Sequence, residues 1–252
     1  MPVMDEFREE RDRIKNGSFK DKAKYFFSYY TVHVVVGFLA VILLAVLIKD
    51  MTSQKEYALN AIMLNSIQEM ENSAELMSED FASYAQIDTD KNVVNFDYSI
   101  AIVDNPTSEY EMYGAQKLLV YTSAGDVDVL MGGADIFPDY ANGELFSDLR
   151  DILTDEQISK YKDHFYYVDG AYVAEINSED NIYDASYVAP EAPDPTKPED
   201  MQDPIPIGVF VTDCEKLTDN IIFYDESFVA LGIPASAKHP ETAVKLIEYL
   251  FE

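Results

Sequence analysis

The chain has 252 residues, of which 48% are hydrophobic, and its formal net charge is −29 at pH 7. The hydrophobic fraction is sufficient for a folded core, so the high charge does not by itself indicate a disordered chain. The same charge excludes nucleic acid and anionic lipid head groups as ligands of the acidic part of the chain. Because Cys214 is the only cysteine, an intrachain disulfide is also excluded.

Residues 1–28 form a charged segment of helical composition, interrupted once at Asn16-Gly17-Ser18. Ser18 is a favourable N-cap residue and Asp21 follows three positions later, so a helix is predicted to begin there. Two interpretations remain open for this segment. It is either a docking helix or a solvated, interfacial lead into the next helix.

Residues 29–49 are predicted to form a transmembrane helix. The run from Thr31 to Ile48 contains one ionisable residue, His33, and two preceding tyrosines extend the run to 20 residues. A helix of that length spans about 30 Å, which matches the hydrocarbon core of a bilayer. The charged segment before it is too long for a signal peptide and no small-residue cleavage site follows. We therefore expect an uncleaved anchor in the lipid bilayer.

The distribution of basic residues predicts the orientation of this helix. Only Lys49 and Lys55 follow it closely, whereas seven basic residues precede it, namely Arg8, Arg11, Arg13, Lys15, Lys20, Lys22 and Lys24. The positive-inside rule therefore predicts a cytoplasmic N-terminus and an extracellular domain at residues 50–252, in a single-pass protein of the cell membrane. An exported domain without disulfides is typical of Gram-positive bacteria, so a bacterial origin is expected.

Strand and helix patterns alternate through the first part of the outer domain. Apolar runs or period-2 patterns predict strands at residues 57–65, 92–103 and 127–131. Helical spacing of apolar residues predicts helices at residues 68–85, 108–124, 135–149 and 154–162. This order is typical of an α/β fold in which a mostly parallel sheet carries helices on its faces.

The second part of the domain has a different pattern. Residues 164–176 predict two strands around a turn at Asp169-Gly170. Residues 177–206 contain six of the eleven prolines and many acidic residues, which predicts a mobile loop that does not pack. Strand patterns return at 207–211 and 228–233, and an amphipathic helix is predicted from Pro240 to Phe251.

Three segments carry a resemblance to a known family: GDVDV at 125–129, FPDYANGELFSDL at 137–149 and IPASAKHPETAVKLIEYL at 233–250. They resemble the extracellular solute-binding proteins that deliver sugars and other solutes to ABC transporters. The resemblance implies a single periplasmic-binding-protein-like lobe, anchored by a transmembrane helix instead of a lipid. The chain contains no Trp, so a tryptophan platform for stacking on sugar rings is excluded.

Polar residues at the predicted strand ends are the candidate ligand-binding residues, because ligands of open α/β sheets lie beyond the carboxyl ends of the strands. They are Asn65, Ser66, Asp104, Asn105, Gly132, Gly133 and Asp135. One interpretation is a site where backbone N–H groups beside the glycines approach a polar ligand. The other interpretation is that these residues form strand-ending turns and helix caps.

Other residues that could bind a metal ion or a ligand also have a structural interpretation. Asp126 and Asp128 are potential calcium ligands, but no calcium-loop spacing accompanies them, so exposed positions at a strand start are the favoured interpretation. Tyrosines able to stack on a carbohydrate or to pack along an edge strand are Tyr166, Tyr167, Tyr172, Tyr183 and Tyr187. The three histidines form no catalytic or metal-binding motif, so neither an enzyme nor a cofactor is predicted.

The sequence therefore leaves three functional hypotheses. The first is a membrane-tethered, solute-binding-protein-like domain that binds a small solute, senses it, or assembles with a membrane-protein partner. The second is a structural envelope protein that has the same fold and no small-molecule ligand. The third is a complete transport receptor, which requires a second lobe.

Overall fold

The computed structural model describes residues 17–53, 55–103, 109–184 and 186–252. The chain divides into two units, Met1–Gln54 and Lys55–Glu252. The described part of the first unit is dominated by helix α1 (Phe19–Ser53). Ser18 caps this helix as predicted, because its hydroxyl accepts a hydrogen bond from the Asp21 N–H at 3.4 Å and its own N–H donates to the Asp21 carboxylate at 3.1 Å. The interpretations of residues 1–16 lie outside the described residues.

The central part of α1 is long and apolar enough to cross a membrane. The segment Thr31–Lys49 has a mean hydropathy of 2.9, and none of it is buried against protein. Among the described residues, it is the one helix with these properties. An apolar surface of this length that no protein covers is compatible with the predicted single-pass anchor at residues 29–49.

The second unit is built on a six-stranded sheet in the order β3-β1-β4-β8-β6-β5. Its strands are β1 (Glu56–Met63), β3 (Asn92–Asp97), β4 (Val129–Gly133), β5 (Phe165–Asp169), β6 (Pro204–Phe210) and β8 (Val229–Gly232). Two further strands, β2 (Ser66–Gln68) and β7 (Ile221–Phe223), form a separate antiparallel pair. The helices are α2 (Ser73–Tyr84), α3 (Glu109–Ser123), α4 (Phe137–Asn142), α5 (Asp155–Tyr161), α6 (Gly170–Ile176), α7 (Glu179–Ile182), α8 (Glu215–Thr218) and α9 (Pro240–Leu250).

The sheet is mixed, with one parallel and one antiparallel half. Strand β1 pairs in parallel with β3 and with β4, whereas β4–β8, β8–β6 and β6–β5 are antiparallel pairs. Four of the six strands consequently run in the same direction, namely β3, β1, β4 and β6. The predicted α/β class, with a mostly parallel sheet and flanking helices, is therefore confirmed.

Two hydrophobic cores cover the faces of the sheet. Successive residues of β1 point to opposite faces: Met63 belongs to the core beneath α2 and α9, and Ile62 belongs to the core beneath α3 and α4. This burial on both faces explains why β1 reads as a continuous apolar run. The predicted apolar face of α9 is also confirmed, since Ala243, Leu246, Ile247 and Leu250 are all buried.

The predicted hairpin at residues 164–176 is wrong. Only Phe165–Asp169 forms a strand, and the chain continues as helix α6 from Gly170. Asp169 acts as the N-cap of α6, because its carboxylate accepts a hydrogen bond from the Ala171 N–H at 3.0 Å. The antiparallel partner of β5 is β6, which follows more than thirty residues later. An Asp-Gly pair is equally suited to a hairpin turn and to a helix start, and only the distant partner decides between them.

Three other predicted boundaries change. Strand β3 ends at Asp97, and residues 98–103 continue without regular structure. Helix α4 ends at Asn142 instead of continuing to residue 149. Phe146, which was predicted to be helical, forms a β-bridge with Pro234. Strand β6 begins at Pro204, inside the segment that was predicted to be a loop.

Candidate functional site

The strand-end cluster, formed by Asn65, Gly133 and Asp135, lies where β1 and β4 end. The Asn65 side chain donates to the Asp135 carboxylate at 2.7 Å and accepts from the Ile102 N–H at 2.7 Å. It therefore connects the ends of neighbouring strands, as the parallel arrangement predicts. Asn65 also has a positive φ of 50°, which an asparagine tolerates better than most residues.

The polar atoms of this cluster are used within the protein. Both ends of the Asn65 amide have partners, and the Ser66 hydroxyl donates to the Met63 carbonyl at 2.7 Å. A Cβ on Gly133 would overlap the Asp225 carbonyl, and one on Gly132 would lie 2.8 Å from Ile136. The glycines thus allow two chain segments to approach each other. This geometry favours the interpretation of turns and caps; the predicted Asp104 and Asn105 lie outside the described residues.

A cavity on the edge of the sheet has the geometry of a ligand site. It has a volume of about 530 Å³, within the range of about 300–1,000 Å³ that is usual for small-molecule pockets. Its lining combines aromatic, proline and acidic residues: Pro138, Asn142, Tyr166, Tyr167, Val168, Asp169, Glu191, Ala192, Pro193, Asp194, Pro195 and Phe228. This space is called the Tyr166 cavity below.

One wall of the Tyr166 cavity is the edge strand β5, and the opposite wall is the proline-rich segment 190–195. Two hydrogen bonds attach this segment: the Tyr167 N–H donates to the Pro195 carbonyl at 3.0 Å, and the Tyr172 hydroxyl donates to the Pro190 carbonyl at 3.3 Å. The prediction that residues 177–206 do not pack is therefore wrong. Prolines are restricted in φ and lose little entropy when they are ordered, so they suit a fixed wall.

Asp169 fixes the chain that follows this segment. Its carboxylate accepts hydrogen bonds from the Gln202 N–H at 2.9 Å and the Asp203 N–H at 3.0 Å, besides the Ala171 N–H. Burial raises the pKa of Asp169, but the backbone N–H donors outweigh this effect and hold the pKa below its usual value. Asp169 therefore stays ionised at neutral pH and joins α6 to the segment that leads into β6.

Tyr166 lines the cavity and is only 4% exposed. Its ring contacts Phe137, Phe210 and Phe228, with ring centroids 5.0, 5.2 and 5.9 Å away. Burial raises the pKa of Tyr166 far above its usual range, and the Asp139 charge adds to the effect, so the phenol stays protonated. Among the described residues, the buried side-chain polar atom without a hydrogen-bond partner is the Tyr161 hydroxyl, so the Tyr166 hydroxyl is not an enclosed and unsatisfied group.

The other candidate tyrosines are distributed differently. Tyr167 lines the cavity, and Tyr172 supports its wall through Pro190. Tyr187 donates to the Glu175 carboxylate at 3.2 Å, whereas Tyr183 is 85% exposed and does not line the cavity. The aromatic pattern at β5 was thus a useful signal for a cavity, but the sequence did not show that a distant proline-rich segment completes it.

Sequence reasoning missed a second polar network, at the amino ends of β1 and β4. The Asp128 carboxylate is 2% exposed and accepts hydrogen bonds from the Asn60 N–H at 2.9 Å and the His239 N–H at 2.8 Å. The His239 ring nitrogen Nδ1 lies 3.1 Å from the same carboxylate. Asp128 is therefore not exposed, and it fixes the start of α9 to β1. Its neighbour Asp126 is exposed and forms an ion pair with Lys238 at 2.5 Å.

Among the described residues, no group of three or more His, Cys, Asp or Glu side chains is arranged to hold a metal ion. Asp126 and Asp128 each contact a basic residue of the segment before α9 instead of sharing a ligand position. The buried Cys214 thiol has a pKa raised by burial to about 11, so it is a weak nucleophile at neutral pH.

Comparison with known proteins gives no match: no family model, no curated protein and no solved structure is similar to the chain. The class of protein is therefore defined by its own features, an α/β domain that follows one apolar helix of membrane-spanning length.

Proposed function

We propose that the protein is a membrane-anchored binding protein whose outer domain holds a small organic solute in the Tyr166 cavity. Helix α1 is the anchor, and the domain at residues 50–252 lies outside the cell. The domain acts by binding or sensing the solute, or by assembling with a membrane-protein partner in response to it. The resemblance of residues 233–250 to the solute-binding proteins of ABC transporters supports this proposal, which treats the domain as one periplasmic-binding-protein-like lobe.

One observation carries the proposal: a cavity of about 530 Å³ is lined by the aromatic side chains of Tyr166, Tyr167 and Phe228 together with acidic and proline residues. A concave site with a mostly apolar lining and a few polar groups is the usual form of a small-molecule site. The cavity is therefore best explained as a ligand site in which the Tyr166 hydroxyl is one of the polar contacts.

The distribution of charge supports the proposed location outside the cell. Seven basic residues precede the apolar run of α1, and the chain after the run is strongly acidic. Basic residues on the amino-terminal side favour cytoplasmic retention of that side. A domain with a high negative charge also remains soluble near an anionic membrane surface, because the two repel each other.

The test is a ligand screen on the full chain in detergent micelles, with thermal unfolding as the readout. Ligand at 100 times its Kd stabilises the folded state by about 2.7 kcal/mol, which raises Tm by roughly 5–11 °C for a domain of this size. The libraries are saccharides, amino acids, amines and short peptides. We expect one class to stabilise the wild-type protein.

Two matched variants locate the ligand. Tyr166→Phe should keep or increase the stability of the free protein and should lose the response to ligand. Tyr183→Phe removes a hydroxyl from an exposed ring outside the cavity and should respond like the wild type. If no compound stabilises the wild-type protein, the binding function is refuted. The alternative is then a structural envelope protein with this fold and no small-molecule ligand.

A further inference from the structure

We propose that the solute held in the Tyr166 cavity is a small organic ammonium ion, an inference that rests on the proposed function. The geometry combines three features that favour such a cation over a sugar or an anion. They are the charges of the lining, its aromatic surfaces, and the phenol of Tyr166.

The charges of the lining are all negative. Three carboxylates, Asp169, Glu191 and Asp194, line the cavity, and none of its lining residues is basic. Lys197 lies 2.7 Å from the Asp194 carboxylate and balances its charge, whereas the Asp169 carboxylate is held by backbone N–H groups, which carry no net charge. The cavity therefore attracts cations and repels anions, and an anionic solute would lose its hydration without gaining a partner.

Aromatic rings supply the second feature. Tyr166, Tyr167 and Phe228 all line the cavity. The faces of aromatic rings attract ammonium groups, and this attraction is stronger where water is excluded. Alkyl groups attached to the nitrogen would at the same time pack against Val168 and the prolines of the opposite wall. A simple metal ion lacks such groups, so the lining fits an organic cation better.

The third feature is the Tyr166 hydroxyl. An ammonium N–H donates hydrogen bonds only, and a phenol oxygen is a suitable acceptor. The phenol stays protonated, so the oxygen is a neutral acceptor and the carboxylates provide the charge. The lining can thus accept a hydrogen bond from the nitrogen through Tyr166 and balance its charge through the exposed Glu191.

The experiment compares four probes of similar size on the full chain in detergent, at constant ionic strength. The probes are butylammonium, tetramethylammonium, pentan-1-ol and butyrate, with affinities measured by calorimetry and thermal unfolding. Butylammonium should bind at least about 10-fold more tightly than pentan-1-ol, because charge-assisted contacts are roughly twice as strong as neutral ones. Butyrate should not bind. Tetramethylammonium should bind more weakly than butylammonium, because it cannot donate to Tyr166.

Variants test whether the cation occupies this cavity. Glu191→Gln keeps the shape of the side chain and removes its charge, so it should weaken butylammonium binding by about 3- to 10-fold, the size expected for one partly exposed charge pair. Tyr166→Phe should weaken butylammonium more than tetramethylammonium. The control Glu199→Gln removes an exposed charge from the chain that follows segment 190–195, outside the Tyr166 cavity, and should change binding less than about 2-fold.

The outcomes separate the two proposals. Binding of a saccharide or another neutral solute in this cavity, without binding of either ammonium ion, overturns the ammonium proposal and leaves the proposed function in place. Equal affinity for butyrate or pentan-1-ol also overturns it. Ammonium binding that neither Glu191→Gln nor Tyr166→Phe weakens shows that the cation binds elsewhere, which overturns the assignment. If no probe and no library compound binds, both proposals fail.

Discussion

Replacing Asp128 with alanine should destabilise the outer domain far more than replacing Asp126, although the two residues are only two positions apart. Asp128 is buried and accepts hydrogen bonds from the Asn60 and His239 N–H groups, whereas Asp126 is exposed and pairs with Lys238. The Asp128→Ala change leaves two N–H groups without their acceptor. The change also removes the carboxylate that links the amino end of α9 to β1.

The magnitude follows from these contacts. A buried donor that loses its acceptor costs about 1–3 kcal/mol, and water can reach the partly exposed His239 N–H more easily than the buried Asn60 N–H. We therefore expect Asp128→Ala to lower the free energy of unfolding by about 2–4 kcal/mol, which lowers Tm by roughly 4–16 °C. The exposed ion pair of Asp126 contributes at most about 1 kcal/mol, so Asp126→Ala should lower Tm by no more than about 4 °C.

The assay is unfolding of the full chain in guanidinium, followed by near-ultraviolet circular dichroism of its tyrosines. The chain contains 18 Tyr and no Trp, and three of these Tyr lie in α1, so most of this signal comes from the outer domain. The reasoning is refuted if the two variants lose equal stability, or if Asp126→Ala loses more. An Asp128→Asn variant adds a further control, because it keeps one acceptor oxygen and should lose less stability than alanine.

Two more predictions concern acid stability and orientation. The folded-state pKa of Asp169 is depressed, so its contribution to stability is present above the unfolded pKa of about 4 and is lost as the pH falls below it. The difference in unfolding free energy between the wild type and Asp169→Asn should therefore shrink from about pH 6 to about pH 3; a difference that stays constant would contradict the role of the charge. For orientation, a protease added to intact cells should remove an epitope tag placed after Glu252, and removal only after lysis would show the opposite topology.

Local patterns predicted the parts of the fold that local physics determines. The apolar run of α1, the Ser18 cap, the buried strand β1 and the amphipathic helix α9 each depend on the spacing of neighbouring residues. The alternation of strands and helices up to β4 also predicted the parallel half of the sheet. In that half each strand is followed by a helix that covers it.

The antiparallel half was not predictable in the same way. The Asp169-Gly170 pair suits both a hairpin and a helix start, and β5 takes its partner from residues 204–210. Asp128 reads as a surface residue by alternation, and its burial depends on Asn60 and His239, which are far away in the sequence. Pairing across such separations depends on the packing of the whole domain, which short-range periodicity does not encode.

The sequence alone therefore determined a membrane-length helix, an acidic domain of the α/β class and the strand ends that meet at one edge of the sheet. Tertiary structure decided which polar residues are available to a ligand. The Asn65 and Asp135 side chains are hydrogen-bonded to each other. The proline-rich segment lies beside β5 and lines the same cavity as Tyr166. The physical reason is that a cavity needs walls from distant segments, and each wall keeps its position through hydrogen bonds that only the folded chain can form.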